Sequence, residues 1–287
     1  MTPLSTPRLS IIIVTYNSRG HIDGCLESLT RTPPRIDHDI VVIDNASTDG
    51  TTDAIRTRWP AVRVIEAGAN VGFARGNNIG FRETFGELVL LLNPDTVVPA
   101  GAIETLVGSL DARADAAVAG PRLVDAYGRA ELSFGAMLSP VAELRQKVLV
   151  NGNDHGFPVI SAIVERMTRR AQDVDWVSGA CLLIRRADAE AVGLMDERYF
   201  MYTEDVDFCT AVRARGRRVI FTPASQVTHL RGRSRATDRG VAEKAYRQSH
   251  IAFYEKHHPM WAPLLRAYLK VRGHAGHASG GNAPRDR

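Results

Sequence analysis

The sequence predicts an α/β fold in which a mostly parallel central sheet is flanked by helices. Apolar strand-like runs alternate with helix patterns over roughly the first hundred residues, the signature of βαβ units. Leu88-Val89-Leu90-Leu91-Leu92 is apolar without interruption, which reads as a strand buried on both faces. Three of the runs also stop abruptly in polar residues, at Thr15-Tyr16-Asn17, Asp44-Asn45 and Asn93-Pro94-Asp95. Right-handed crossovers bring such ends to one edge of a sheet, where open α/β sheets bind their ligands.

The elements follow in order. Ser10 to Val14 forms the first strand. A helix places Ile22, Leu26 and Leu29 on one face and ends before Pro33-Pro34. Asp39 to Asn45 is the next strand and breaks into Ala46-Ser47-Thr48-Asp49-Gly50. Thr51 to Trp59 reads as a helix, Val62 to Ile65 as a short strand, and Asn70 to Phe85 as a glycine-punctuated loop running into a helix. The strand from Leu88 ends at Pro94, which cannot donate to a ladder. Ala117 to Gly120 is another strand. Leu132 to Asp173 reads as an excursion from the sheet, able to cover a substrate or touch a membrane. In it Leu138, Val141, Leu144, Val148 and Leu149 have amphipathic-helix spacing, which fits core packing first and otherwise docking on a membrane together with the arginine-rich stretch. Asn151-Gly152-Asn153 is expected to break that helix. Val174 to Arg185 returns to strand character, Val219-Ile220-Phe221 and Val227-Thr228-His229 close the sheet, and Asp238 to His257 is a final helix. From Gly273 the composition predicts disorder.

The chain has 287 residues, 44% of them hydrophobic and 24% charged, enough for a sizeable core. No apolar run reaches membrane-spanning length, and Met1 to Arg8 has no signal-peptide core. Cys25, Cys181 and Cys209 are scattered, which points to free thiols in a reducing compartment and a cytoplasmic protein. Net charge is only +4, but seven arginines lie between Arg213 and Arg235 without an acid among them. Such a patch suits an anionic lipid, a nucleic acid or a phosphorylated substrate, or is a solvated face.

Two acidic sites stand out. Asp95, at a strand end, either caps the following helix or holds a hard divalent cation with substrate phosphate oxygens completing the shell. Thr203-Glu204-Asp205-Val206-Asp207 carries three carboxylates in four positions behind aromatic residues. Thr203 is expected to cap the helix there, with Val206, Cys209 and Val212 turned inward. Acids in a first turn favour the helix dipole, but three of them, with another acid at a strand end, point to an active-site set. A dinucleotide-binding domain is excluded, because Tyr16-Asn17-Ser18-Arg19-Gly20 stands where its glycine fingerprint belongs.

From Ser10 to Ser234 the chain resembles the bacterial family-2 glycosyltransferases of the GT-A fold, on the rhamnosyltransferase-like branch. The resemblance rests on Val-Thr-Tyr-Asn, Val-Ile-Asp-Asn-Ala-Ser-Thr-Asp-Gly, Asn-Val-Gly-Phe-Ala, Leu-Asn-Pro-Asp, Val-Ser-Gly-Ala-Cys, Thr-Glu-Asp-Val-Asp and His-Leu-Arg-Gly-Arg-Ser in fixed order. It implies one domain over 1–272, with 8–125 binding the nucleotide sugar and 126–272 the acceptor, followed by the tail. Thr15, Tyr16 and Asn17 would line the nucleotide pocket and Asp44 would accept from the pyrimidine N3–H. Asn70, Gly72, Ala74 and Asn78 would shape the wall beside base and ribose. Many relatives carry Ala-Arg-Asn where this chain has Gly76-Asn77-Asn78; Arg75 is the neighbouring arginine. Asn93-Pro94-Asp95 occupies the place of the D-x-D motif, so Mg²⁺ or Mn²⁺ would rest on Asp95, with His229 a further metal or phosphate contact. Arg233 and Ser234 would meet the diphosphate.

Asp205 resembles the general base of inverting members, with Glu204 orienting the acceptor and Asp207 holding the helix or a neighbouring arginine. Trp176, Gly179 and Ala180 resemble the acceptor wall. The implied reaction moves a sugar, rhamnose from dTDP-rhamnose as the first choice and a UDP- or GDP-sugar otherwise, to a hydroxyl of a lipid-linked or cell-envelope saccharide. The site of action would be the inner face of the plasma membrane, with peripheral contact to anionic lipid. Two rivals differ in class. A nucleotidyltransferase would need a lysine-bearing glycine loop after the first strand, which is absent. A non-catalytic sugar-nucleotide or nucleic-acid binding protein leaves Glu204-Asp205-Val206-Asp207 unexplained, and the arginine patch lacks aromatic interleaving for nucleic acid.

Overall fold

The computed structural model describes residues 6–230 and 239–278, with backbone alone at 239, 241, 242 and 271–278. It begins with the expected βα units. β1 (Leu9–Thr15) leads through α1 (Ile22–Arg31) to β2 (His38–Asp44), α2 (Thr51–Arg58), β3 (Arg63–Glu66), α3 (Phe73–Glu83) and β4 (Leu88–Leu92). These strands lie in the order β3-β2-β1-β4, all parallel, with Thr15 level with Asp44 and Ile13 with Leu92. Three polar strand ends therefore share one edge.

Successive residues of β1 serve opposite layers, as strand geometry requires. Ile11 and Ile13 pack with Leu26 and Leu29 of α1, whereas Ile12 and Val14 pack with Ala74 and Phe81 of α3. The α3 face that meets β1 is made of Gly76 and Gly80. A Cβ on Gly80 would overlap the Ile12 side chain, and one on Gly76 would lie 2.8 Å from a Val14 methyl. The helix approaches the strand that closely only because both positions lack a side chain.

The second half folds back onto the first. β5 (Thr96–Val97) and α4 (Ala102–Asp111) lead to β6 (Ala116–Val124). β10 (Cys181–Arg185) inserts antiparallel between β4 and β6, with Cys181 opposite Leu92. β11 (Arg218–His229) runs parallel to β6 and antiparallel to β5, bringing His229 opposite Thr96. β8 (Gln172–Val174) pairs with the start of β11, and β7 (Phe134–Gly135) with β9 (Trp176–Val177) forms a separate two-stranded sheet. α5 (Pro140–Asp154) and α6 (Pro158–Met167) form the excursion before β8; α7 (Arg186–Ala191) and α8 (Glu204–Ala214) cover the α3 face of the sheet. α9 (Arg239–His257) and α10 (Ala262–Ala278) end the described chain.

Several expectations are corrected. The two closing strands are one, β11, with a register shift between Thr222 and Gln226 where Pro223 interrupts the ladder. α5 runs through Asn151-Gly152-Asn153, because Gly152 packs under Ile160 with no room for a side chain and Asn153 Nδ2 donates to the Ala130 carbonyl at 2.9 Å. Of its apolar stripe only Leu149 is buried; Val141, Leu144 and Val148 are exposed, so core packing is not their role. The helix to His257 is not the last, and α10 continues through Gly273 to Ala278, inside the stretch expected to be disordered. The arginine patch is committed in part to ion pairs. Arg213 pairs with Asp175 at 2.6 Å, Arg217 with Asp188 at 2.9 Å and Arg218 with Asp173 at 4.0 Å; Arg231, Arg233 and Arg235 lie outside the described residues. All three thiols are free and buried, and burial pushes those of Cys25 and Cys209 up to about 12.

One buried polar network joins α5 to α9. The Glu143 carboxylate accepts from Tyr254 Oη at 2.6 Å and pairs with His250 Nε2 at 2.9 Å. Burial alone raises its pKa, but the bonds from His250 and Tyr254 prevail and hold it below the usual carboxylate range. A depressed folded pKa contributes stability above the unfolded value of about 4.3, which is lost as pH falls through the folded pKa. Glu143→Gln is accordingly expected to cost about 1–3 kcal/mol near neutrality, with the gap to the native chain closing below about pH 4 in denaturant titrations. Two glycines give opposite signs in the same assay. Gly80→Ala should destabilise by about 1–3 kcal/mol. Gly108→Ala, in α4 with open space where its Cβ would be, should stabilise by about 0.5–1 kcal/mol.

Candidate active site

The shared edge of β1, β2 and β4 is lined by buried oxygens that lack partners. The Asp44 carboxylate takes one backbone bond, from Ser47 N at 2.9 Å, through Oδ2. Its Oδ1, Thr15 Oγ1 and Asn45 Oδ1 are buried without a hydrogen bond. Each unsatisfied acceptor costs about 1–3 kcal/mol, a cost that a donor-bearing ligand would relieve. Asn17 contributes differently. Its Oδ1 accepts from Thr48 N at 2.8 Å while its own N–H donates to Ser47 Oγ at 2.9 Å, so it braces the Ala46–Gly50 loop against the end of β1. Tyr16 is exposed at the rim.

The wall facing this edge is a loop zipped to the start of α8. Gly72 sits at φ +85°, and a Cβ there would overlap the Phe200 carbonyl. Its N–H reaches Asn70 Oδ1 at 3.2 Å, its carbonyl accepts from Asn45 Nδ2 at 3.1 Å, and the next N–H, of Phe73, donates to Phe200 O at 2.7 Å. Ala74 and Asn78 are fully enclosed beneath this wall. The Asn78 amide is spent on the 195–197 segment: Nδ2 donates to Met195 O and Glu197 Oε1, and Oδ1 accepts from Met195 N. It supports the wall from behind. Arg75 lies 3.7 Å from Glu197.

β10 and β11 carry the second half to the same edge. Asn93 N donates to Ala180 O at 2.9 Å, and Leu230 N to Asp95 O at 2.9 Å. The His229 Nε2 lies 3.3 Å from Asp95 Oδ1, and its Nδ1 lies 3.1 Å from Glu131 Oε2. Burial alone would lower the imidazole's pKa; the bonds to Asp95 and Glu131 outweigh it and lift the value to about 9. Asp95 does not cap α4, whose N-cap is Gly101. Among the described residues no three His, Cys, Asp or Glu side chains are grouped so as to hold a metal by themselves. Glu131 belongs to no motif and has no local signature in the sequence; it reaches His229 because its N–H pairs with Leu123 O on β6, the strand beside β11.

At the start of α8 the three acids have separate environments. Asp205 is half-buried, and its carboxylate accepts from Gly179 N at 2.9 Å and Val206 N at 2.8 Å. Burial still prevails over these backbone bonds and keeps its pKa raised. Glu204 is buried, with Oε2 unpaired, and burial followed by repulsion from Asp205 raises its pKa well above the ordinary value. Asp207 is a strut, pairing with Lys256 Nζ at 2.8 Å and His257 Nε2 at 2.6 Å of α9 and accepting from Tyr199 Oη at 3.2 Å; its basic partners come from α9, and none is an arginine. Thr203 does not cap the helix. It has φ +63°, and its hydroxyl is buried without a partner. Val206, Cys209 and Val212 turn inward as expected.

A Cβ on Gly179 would sit 3.1 Å from the Phe73 ring and 3.5 Å from Asp205 Cβ, so the wall of the first half and the acid of the second meet there. Trp176 is half-buried and donates from Nε1 to Ala136 O at 2.9 Å. Ala180 is buried and contributes its backbone. Arg233 and Ser234 lie outside the described residues.

This arrangement has known counterparts. The sequence pattern of glycosyl transferase family 2 matches residues 10–187. The chain belongs to this family. It is 31% identical to the N-acetylglucosaminyl-diphospho-decaprenol L-rhamnosyltransferase of Mycobacterium tuberculosis, over 94% of this chain and 92% of that one. It is 24% identical to the rhamnosyltransferase WbbL of Escherichia coli, over 83% and 88% of the two chains. The mannosyltransferase PcManGT of Pyrobaculum calidifontis, solved with GDP-Man and Mn²⁺, superposes with a TM-score of 0.59 at 21% identity, covering 98% of this chain and 78% of that one. The chain is thus a glycosyltransferase with the GT-A fold of its structural neighbours.

The separate environments of the acids of α8 predict separate effects on stability. Asp207→Ala leaves His257 and Tyr199 without their acceptor, and Lys256 with Asp196 alone, and should cost about 2–3 kcal/mol in thermal or denaturant unfolding. Asp205→Asn keeps a side-chain oxygen for only one of the two backbone donors, which bind different carboxylate oxygens, and should cost a smaller amount, about 1 kcal/mol, in the same assay.

Proposed function

We propose that this glycosyltransferase transfers a sugar from a nucleotide diphosphate to an acceptor hydroxyl with inversion, and that Asp205 is the base. The observation that carries the reading is the placement of Asp205. Its carboxylate is held by Gly179 N and Val206 N beside Phe73, the residue after Gly72 in the loop that faces the strand ends. A raised pKa brings a carboxylate closer to the range where a general base works well. Asp205 takes the proton of the acceptor hydroxyl as its oxygen attacks the anomeric carbon. The bond from that carbon to the diphosphate oxygen breaks on the opposite face, and the nucleoside diphosphate leaves with the electron pair. Glu204, whose buried carboxyl keeps one oxygen unpaired, orients the acceptor, and Trp176 flanks it.

Donor binding belongs to the other half. Asp44 Oδ1 would accept from the base N3–H, with Thr15 and Tyr16 lining the pocket and Asn93 facing the diphosphate. The residues fit a divalent cation, Mg²⁺ or Mn²⁺, of the kind bound by a carboxylate together with substrate phosphates. Asp95 and His229 would hold it, the imidazole giving up its Nε2 proton on binding while Nδ1 keeps the bond to Glu131. The imidazole's second nitrogen already rests on Glu131, the outer support that metal-binding histidines commonly have. Such an ion supplies charge neutralisation for the departing diphosphate.

The relatives suggest the substrates. Two are named as rhamnosyltransferases, and one of them as acting on a diphospho-decaprenol-linked sugar, so we take dTDP-rhamnose as donor and a lipid-linked saccharide at the inner face of the plasma membrane as acceptor. UDP- and GDP-sugars are the competing donors. Calorimetric titration with dTDP, UDP and GDP, each with and without Mn²⁺, tests the choice, with tightest binding expected for dTDP plus Mn²⁺. Asp205→Asn should lower single-turnover transfer by about 10²–10⁴-fold and leave donor binding intact. Asp95→Ala should weaken Mn²⁺-dependent donor binding itself. Substantial transfer by Asp205→Asn would remove it as the base.

A further inference from the structure

The described chain ends in a helix with an unusual surface. Met260 and Trp261, in the turn before α10, are 88% and 50% exposed, and Leu264 and Tyr268 on the helix are 62% and 51% exposed. Trp261, Leu264 and Tyr268 are spaced at i, i+3 and i+7, so they share one face. Ala262 and Leu265 turn the other way, into the core beneath. From His258 to Ala278 there is no acidic residue, whereas Arg266, Lys270 and Arg272 are basic. Arg266 reaches back to Glu255 of α9. No helix among the described residues is long and apolar enough to cross a membrane.

The exposed stripe of α5 adjoins this helix. His258 Nε2 lies 2.6 Å from Leu138 O, and Leu138 packs with Ala262 and Leu265 in one small cluster. Val141, Leu144 and Val148 begin one residue after the α5 N-terminus and stay exposed along it, with Arg145 and Lys147 among them. That cluster also contains Trp176 and Val206, the neighbour of Asp205. The apolar surface is therefore built onto the half that carries the proposed base.

We propose that α10 with Met260 and Trp261, extended by the outer stripe of α5, docks this chain on an anionic lipid surface. A helix showing Trp, Leu and Tyr on one face, with basic residues and no acids elsewhere, suits the lipid–water boundary. The aromatic residues sit at headgroup level, the leucines enter the acyl region and the basic side chains meet anionic headgroups. Charge complementarity selects lipid over a second copy of the chain, because a copy would set one acid-free helix against another. The surface goes beyond the transfer reaction, and its binding requires neither donor nor acceptor, so it is tested independently of the base and the metal.

The test is flotation of the full chain with phosphatidylcholine vesicles, with and without phosphatidylglycerol, at low and high salt. The native chain should bind the anionic vesicles about tenfold or more tightly than the neutral ones, with the difference shrinking in high salt. Trp261 fluorescence should shift to the blue on binding, a change that Trp261→Phe removes. The double variant W261E/L264E alters only exposed positions and should lose about tenfold or more of the affinity with an unchanged circular dichroism spectrum. Phe85→Ser, at an exposed apolar residue between α3 and β4, should bind like the native chain. Equal binding by W261E/L264E, or no binding by the native chain at low salt, overturns the proposal. A native dimer that W261E/L264E converts to a monomer, without vesicle binding, assigns the surface to a second copy instead.

Discussion

The parallel pairing of β1 with both β2 and β4 is the constraint on which the rest depends. Each strand is buried on both faces, so none can shift by one residue without exchanging the two cores it feeds. The register that results holds Thr15 level with Asp44, and Ile13 level with Leu92, just before Asn93. The polar residues after each strand have no ladder to enter and must find loops or ligands. Asn17, Ser47 and Asp49 find loops; Asp44 Oδ1 and Thr15 Oγ1 do not. The site begins as what this sheet leaves unsatisfied.

The second half is attached to that edge by two strands of different sense. Because β10 is antiparallel to β4, it starts where β4 ends, and Gly179 arrives beside Phe73. Because β11 is parallel to β6 and antiparallel to β5, it finishes there, and His229 arrives beside Asp95. Gly72 then fastens the two halves at a separation no side chain would allow, through Phe200. Residues far apart in sequence converge through strand direction and close backbone contact.

Environment then divides the acids of α8. They share a helical turn and nearly the same dipole, yet Asp207 pairs with Lys256 and His257 of α9, Glu204 is buried with one oxygen unpaired, and Asp205 faces two backbone N–H groups beside Gly179. Only Asp205 combines a carboxylate fixed through both oxygens with partial exposure. The same cluster that supports this helix supports α10, so the outer apolar surface and the chemistry are mechanically close.

The sequence by itself determined the βα alternation, the buried strands and the polar strand ends, because period and composition act over a few neighbouring residues. It also determined the family, through motifs in fixed order, and nominated Asp44, Asp95, Asp205 and His229 as candidates for the site. Tertiary structure alone decided where side chains with no local signature would go. Glu131 acquires its place from the pairing of its own segment with β6 and of β11 with the same strand. Asn78 and Ala74 carry motif positions but are closed in beneath the wall by the 195–197 segment and the packing of α3. Val141, Leu144 and Val148 have the spacing of a core face, and the core lies on the other side, because Glu143 and Leu149 turn inward there. Periodicity shows that a helix has an apolar face; only the packing of the whole chain decides what that face meets.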